Sequence, residues 1–197
     1  MIPRWLPAKY IASAHNWTQM PPETGAEIAF VGRSNAGKST AINALLNHNR
    51  LAFVSKHPGR TQMINFFELR NGLIFADLPG YGFAKVNAEL RHHWKEFLTR
   101  YLVERRTLKG LMLIMDIRHA LQDSDIQMLE WFSGTGKPVH LILTKADKLS
   151  RMQAMKHLQV VQQWCKDNYP QGSAQLLSGL RKEGVEDTYK VIQSWLK

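Results

Sequence analysis

The stretch Gly32-Arg33-Ser34-Asn35-Ala36-Gly37-Lys38-Ser39 constrains this 197-residue chain more than any other. Two glycines frame four residues and Lys-Ser follows, with an apolar run before it and an amphipathic one after. Ile28-Ala29-Phe30-Val31 reads as a buried strand, and Ile42, Leu45 and Leu46 give the next segment the apolar face of a helix. A strand that turns into a helix through such a loop aims successive backbone N–H groups at one point, at the positive end of the helix dipole. Gly32 and Gly37 permit backbone angles and close approaches that a Cβ would obstruct. A phosphate chain fits that point. Arg33, Ser34, Asn35, Ala36 and Thr40 complete the loop and its exit, Lys38 is placed for β- and γ-phosphates, and the Ser39 hydroxyl for Mg²⁺.

From Glu27 onward, strand and helix signals alternate, which predicts an α/β fold with helices on both faces of the sheet. Six strands are expected, at Glu27–Val31, Met63–Leu69, Leu73–Ala76, Gly110–Met115, Val139–Leu143 and Ala174–Leu177. Arg70-Asn71-Gly72 between the second and third reads as a hairpin turn, so one strand runs antiparallel in an otherwise parallel sheet. Helical faces recur at Leu90, Trp94, Phe97, Leu98, Tyr101 and Leu102, at Ala154, Leu158, Val161 and Cys165, and at Val185, Tyr189, Ile192 and Leu196. Residues 1–24 form a leader without periodicity, to which no element is assigned, and residues 25–197 form the domain. One cysteine excludes an intramolecular disulfide, and Cys165 reads as an inert buried thiol. Without a membrane-length apolar stretch or a secretory pattern at the start, the expectation is a cytoplasmic monomer.

Four further segments follow the expected strands or lead into them. Asp77-Leu78-Pro79-Gly80 puts a carboxylate at a strand end, where it holds Mg²⁺ through water, and leaves the Gly80 N–H open to a γ-phosphate. Thr144-Lys145-Ala146-Asp147 ends on a carboxylate that matches guanine N1–H and the exocyclic amine, with the Lys145 stem along the base plane. Leu177-Ser178-Gly179 is placed to offer a backbone N–H to guanine O6. In Lys56-His57-Pro58-Gly59-Arg60-Thr61-Gln62, Thr61 is the hydroxyl expected to close on Mg²⁺, flanked by Gly59 and Arg60.

In this order the segments resemble the translation-factor-related (TRAFAC) GTPases, phosphate-loop NTPases with a Ras-like G domain. Within them the chain is similar to the EngB family, also called YihA or YsxC. Gly-Arg-Ser-Asn-Ala-Gly-Lys-Ser-Thr from Gly32, Pro-Gly-Arg-Thr-Gln from Pro58, Asp-Leu-Pro-Gly-Tyr-Gly from Asp77 and Thr-Lys-Ala-Asp-Lys from Thr144 carry the likeness. It implies Mg²⁺-dependent binding of GTP and GDP, and hydrolysis of GTP with Lys38, Thr61 and Gly80 at the reacting phosphate. It also implies a part in maturing the large ribosomal subunit and a link to cell division and septation. Thr144 stands where most G domains have asparagine, so fewer bridges and micromolar affinity are expected. Tyr81 stands where Ras-like proteins place a water-orienting glutamine, which predicts slow intrinsic hydrolysis. Related GTPases with asparagine at the position of Asn35 use it to coordinate K⁺, which makes K⁺ a candidate ion here.

The 26 Lys+Arg against 16 Asp+Glu leave a net +10, more than nucleotide phosphates require, and point to a polyanionic partner such as ribosomal RNA. Lys56, Arg60, Arg91, Lys95, Arg105 and Arg106 are the expected contacts. Two other readings stand beside this one: a small-molecule phosphotransferase, against which the Thr144–Asp147 base reader argues, and a switch whose direct partner is a division protein.

Overall fold

The computed structural model describes residues 7–48, 51–52, 63–81 and 88–197, with the side chains at 71 and 88–95 outside the description. The elements are β1 (Lys9–Ala14), β2 (Ala26–Gly32), α1 (Lys38–Leu45), β3 (Ile64–Glu68), β4 (Leu73–Asp77), α2 (Ala88–Glu104), β5 (Leu108–Asp116), α3 (Asp123–Ser133), β6 (Val139–Thr144), α4 (Arg151–Asn168), β7 (Gly172–Leu176) and α5 (Val185–Trp195). They build one sheet in the order β1-β3-β4-β2-β5-β6-β7. β4, β2, β5, β6 and β7 are parallel, and β3 alone runs against the rest, paired antiparallel with β1 and β4.

The sheet therefore has seven strands where six were expected. The additional one, β1, comes from the leader and covers the open edge of β3, with Lys9 opposite Glu68 and Ala14 opposite Ile64. Its hydrogen-bonding partner lies far along the chain, so no local pattern announces it. The Lys9–Glu68 ion pair at 2.8 Å closes the outer end. The expected antiparallel hairpin is present: Arg70–Gly72 forms a single 3₁₀ turn, and the Leu69 N–H donates to the Leu73 carbonyl at 2.7 Å.

Alternation along each central strand sends side chains to two apolar layers. Ala29, Val31, Leu111, Leu113, Met115, Leu141 and Leu143 face α2, α3 and α4, where they meet Tyr101, Leu102, Phe132, Leu158 and Val161. Ile28, Phe30, Met112, Ile114 and Ile142 face α1 and α5, against Ile42, Leu45, Tyr189 and Ile192. A fully buried aliphatic or aromatic side chain of this kind contributes about 1.5–3 kcal/mol. Ser150 caps α4 with a reciprocal box, its Oγ accepting the Gln153 N–H while Gln153 Oε1 accepts the Ser150 N–H. The expected apolar faces hold among the described residues, except at Leu196, which lies past the end of α5 and is 37% exposed. Cys165 is buried, and desolvation raises its thiol to about 11.

Buried polar groups gather at the entry of β2. The Glu27 carboxylate is fully buried and accepts from Arg105 Nε at 2.9 Å, Arg105 Nη2 at 2.5 Å, Thr107 Oγ1 at 2.8 Å and the Tyr101 hydroxyl at 3.1 Å. Arg105 also donates to the Pro21 carbonyl at 2.8 Å. This corrects one sequence expectation: Arg105 is 2% exposed, neutralises a buried carboxylate and presents no cation to a polyanion. Arg106 is exposed. Lys56 and Arg60, and the side chains of Arg91 and Lys95, lie outside the described residues. No helix among the described residues is long and apolar enough to cross a membrane.

Candidate nucleotide site

The C-terminal ends of the parallel strands meet along one edge of the sheet, where open α/β sheets bind ligands. β2 delivers Gly32, β4 delivers Asp77, β6 delivers Thr144 and β7 leads to Leu177–Gly179. Strand register thus brings together four segments that are far apart in sequence. Thr61, Gly59 and Arg60 lie outside the described residues.

The loop between β2 and α1 needs both glycines. A Cβ at Gly32 would overlap the Ile114 carbonyl of the neighbouring β5. Gly37 is the N-cap of α1 at φ 95°, where an added Cβ would lie 3.1 Å from Thr144 Oγ1. Asn35 at the exposed tip also adopts a positive φ, 63°, which asparagine tolerates better than most residues. Ala36 is buried beneath the loop, and Arg33, Ser34 and Ser39 are partly exposed at its mouth, with Thr40 exposed behind them.

Lys38 Nζ forms an ion pair with Asp77 Oδ1, and both side chains are largely buried, at 13% and 8% exposure. The ammonium and the carboxylate expected at the phosphates and the cation thus converge on one spot. Leu78 turns into the core, its N–H donating to the Phe30 carbonyl at 2.9 Å, and Pro79 and Gly80 are half-buried beyond it.

On the other side, Thr144 is 3% exposed. Its hydroxyl lies between two carbonyls, Ala36 of the loop and Met115 at 3.0 Å. Threonine therefore does reach the phosphate loop, although its side chain is shorter than asparagine. Lys145, at φ 59°, stretches across the loop: Nζ donates to the Asn35 carbonyl at 2.7 Å and pairs with Asp116 at 2.9 Å. Ala146 and Asp147 sit in a 3₁₀ turn, and Asp147 Oδ1 accepts the Ser178 hydroxyl at 2.8 Å, which holds its carboxyl below the usual carboxylate range. Leu177 is buried, with its N–H on the Leu143 carbonyl at 2.8 Å. The Ser178 N–H donates to the Glu183 carbonyl at 3.0 Å, and Gly179 packs against Thr40.

Two acids here escaped the sequence reading. Asp116 ends β5 and holds Arg118 through Nη2 at 2.6 Å and Nε at 2.9 Å, besides Lys145; the Arg118 bonds, ahead of Lys145, depress its carboxyl. Asp125, 1% exposed in the first turn of α3, accepts the Tyr81 hydroxyl at 2.6 Å. An acid at a strand end was a legible signal for Asp116. Nothing local marks Asp125.

A family profile described as a 50S ribosome-binding GTPase matches residues 27–145. A probable GTP-binding protein EngB of Methylobacillus flagellatus is 52% identical over 195 residues, covering 99% of this chain and 94% of that protein. One of Neisseria meningitidis serogroup B is 51% identical over 191 residues, covering 96% and 91%. Among solved structures, a probable GTP-binding protein engB superposes with a TM-score of 0.68 at 20% identity, covering 87% of this chain and 98% of that one. Aquifex aeolicus Era bound to GDP and AlF₄⁻ superposes at 0.70 with 22% identity, covering 87% and 56%. The two structures share the fold, and near-full-length identity above one half gives the relationship: this chain belongs to the EngB family of GTP-binding proteins, GTPases of the phosphate-loop class.

Proposed function

We propose that this edge binds GTP and GDP with Mg²⁺, and that GTP hydrolysis here switches the protein on and off precursors of the large ribosomal subunit. The observation that carries the reading is convergence: Thr144 Oγ1 on Ala36 and Lys145 on Asn35 tie the segment after β6 to the phosphate loop, and Ser178 on Asp147 ties that segment to the one after β7. Asp147 is the guanine reader, held by Ser178. The Ser178 amide is already engaged by Glu183, so the N–H for guanine O6 falls to Gly179.

At the phosphates, the loop amides and Lys38 neutralise charge, and the Gly80 N–H meets the γ-phosphate. Lys38 must shift from Asp77 toward the phosphate oxygens as they bind, because both anions compete for one ammonium. Ser39 and Asp77 are a hydroxyl and a largely buried carboxylate at the loop mouth, hard oxygen donors that fit Mg²⁺, with Thr61 as the hydroxyl that closes on it. Bound there by Ser39, Asp77 and Thr61, Mg²⁺ would offset the negative charge that develops at the phosphates. Asn35 is the K⁺ candidate; equal hydrolysis rates in matched KCl and NaCl would remove it. With the Tyr81 hydroxyl on Asp125, no side chain at that position orients water, so intrinsic hydrolysis is slow.

The ribosomal partner is supported by the net +10 and by the description of the matching family. The test is cosedimentation with large-subunit precursors, comparing a non-hydrolysable GTP analogue with GDP across a salt series. Binding with the analogue alone, weakened by salt, is the expected result. Binding in neither state would move the partner to the division machinery.

A further inference from the structure

Tyr81 is held at three points. Its N–H donates to the Gly32 carbonyl at 3.3 Å, and its carbonyl accepts the Ser34 N–H at 3.2 Å, a parallel bridge that adds one residue of ladder beside the phosphate loop. Its hydroxyl donates to Asp125 Oδ1 at 2.6 Å. Asp125 is itself fixed, since its Oδ2 accepts the Gln122 N–H at 3.0 Å and its own N–H donates to the Gln122 carbonyl at 2.7 Å. The ring packs on the same apolar layer as α3.

We propose that Tyr81 is a positioning residue for GTP: anchored to Asp125 of α3, it holds the preceding Gly80 amide against the phosphate loop where a γ-phosphate arrives. The inference rests on the nucleotide reading above. Gly80 sits one bond before the bridge, and a Cβ placed on it would lie 3.2 Å from the Gly32 carbonyl oxygen, so the segment has little slack. An amide already ordered loses less freedom when it meets a ligand. GDP has no γ-phosphate and gains nothing from this ordering, so the effect of the anchor separates the two nucleotides. The charge-assisted bond to a buried carboxylate is the strong element of the anchor, and the two long backbone bonds alone are weak.

The test measures affinities for a non-hydrolysable GTP analogue and for GDP in the wild type, Tyr81→Phe, Asp125→Ala and Asp125→Asn, with thermal unfolding in parallel. Tyr81→Phe removes only the hydroxyl and is expected to weaken the GTP analogue about tenfold while GDP changes less than about twofold. Asp125→Ala should match it, and the double variant should be no worse than either single one. Asp125→Asn keeps an acceptor oxygen without the charge and should restore part of the preference. Equal weakening of both nucleotides, or no change in either, would overturn the proposal even where Tm falls. A wild type that binds neither nucleotide would overturn the nucleotide reading and this inference with it.

Discussion

Single residues at the site act mostly through other residues. Lys145 is aimed by Asp116 and by the Asn35 carbonyl, so on the proposed nucleotide reading the place of its stem depends on that acid. Asp116→Ala should weaken GTP and GDP equally, by up to about fivefold, as expected for one partly exposed ion pair. Titration with a fluorescent guanine nucleotide reads it, and a loss confined to GTP would contradict this role. The Thr144 hydroxyl ties the end of β6 to the Ala36 carbonyl of the loop between β2 and α1, beside the Met115 carbonyl of β5. Thr144→Ala leaves the buried Ala36 carbonyl short of a donor and should cost about 1 kcal/mol, roughly fivefold in affinity for either nucleotide. Thr144→Ser keeps the hydroxyl and should be silent.

Among the elements, α2 is fixed at its C-terminal end. The Arg105 guanidinium just past the helix meets buried Glu27 and the Pro21 carbonyl, and Arg100 lies over the Trp17 ring with its Cζ 4.2 Å from the centroid. The leader therefore braces the helix that follows the Asp77–Tyr81 segment. Arg105→Leu leaves Glu27 charged and unpaired in the interior, which should cost about 3–5 kcal/mol in urea unfolding. Adding Glu27→Gln should recover part of that loss, since the stranded charge goes with it. The strand β1 has a separate role at the sheet edge. Deleting residues 1–14 bares the backbone of β3, and concentration-dependent aggregation is expected in light scattering.

At the scale of the whole molecule, a buried imidazole contributes to the pH response of stability. His140 on β6 is 2% exposed, bonded to Ser173 Oγ at 2.7 Å and Gln175 Oε1 at 2.9 Å. Desolvation lowers its pKa from 6.5 to about 4. Between those values the unfolded chain binds a proton that the folded one excludes. Stability is therefore full above pH 6.5 and falls toward pH 4, by about 3 kcal/mol from this group. His140→Gln should flatten unfolding free energy across that window. Asp116 works in the same sense at lower pH: its carboxyl is depressed, so its contribution is present above the unfolded carboxylate value and is lost as pH falls through the folded one. The net +10 belongs to this scale too, since it is a field over the surface and assigns no single contact.

Local chemistry made much of this protein legible. The turn at Gly32–Gly37, the alternation of Ile28-Ala29-Phe30-Val31, the period of Ala154, Leu158, Val161 and Cys165, and the Asn71-Gly72 turn each depend on neighbours a few residues away. A chain can spell out such features, and all of them are in the structure. The features that escaped depend on partners distant in sequence. β1 exists because β3 has an unpaired edge, 52 residues from Ser13 to Asn65. Arg105 is an anchor because folding carries it to Glu27, 78 residues away, and Tyr81 is a tether because α3 brings Asp125 to it, 44 residues on. A cation on an exposed helix and one on a buried acid look alike in the chain, since the cost of desolvating a charge arises only when the interior closes around it.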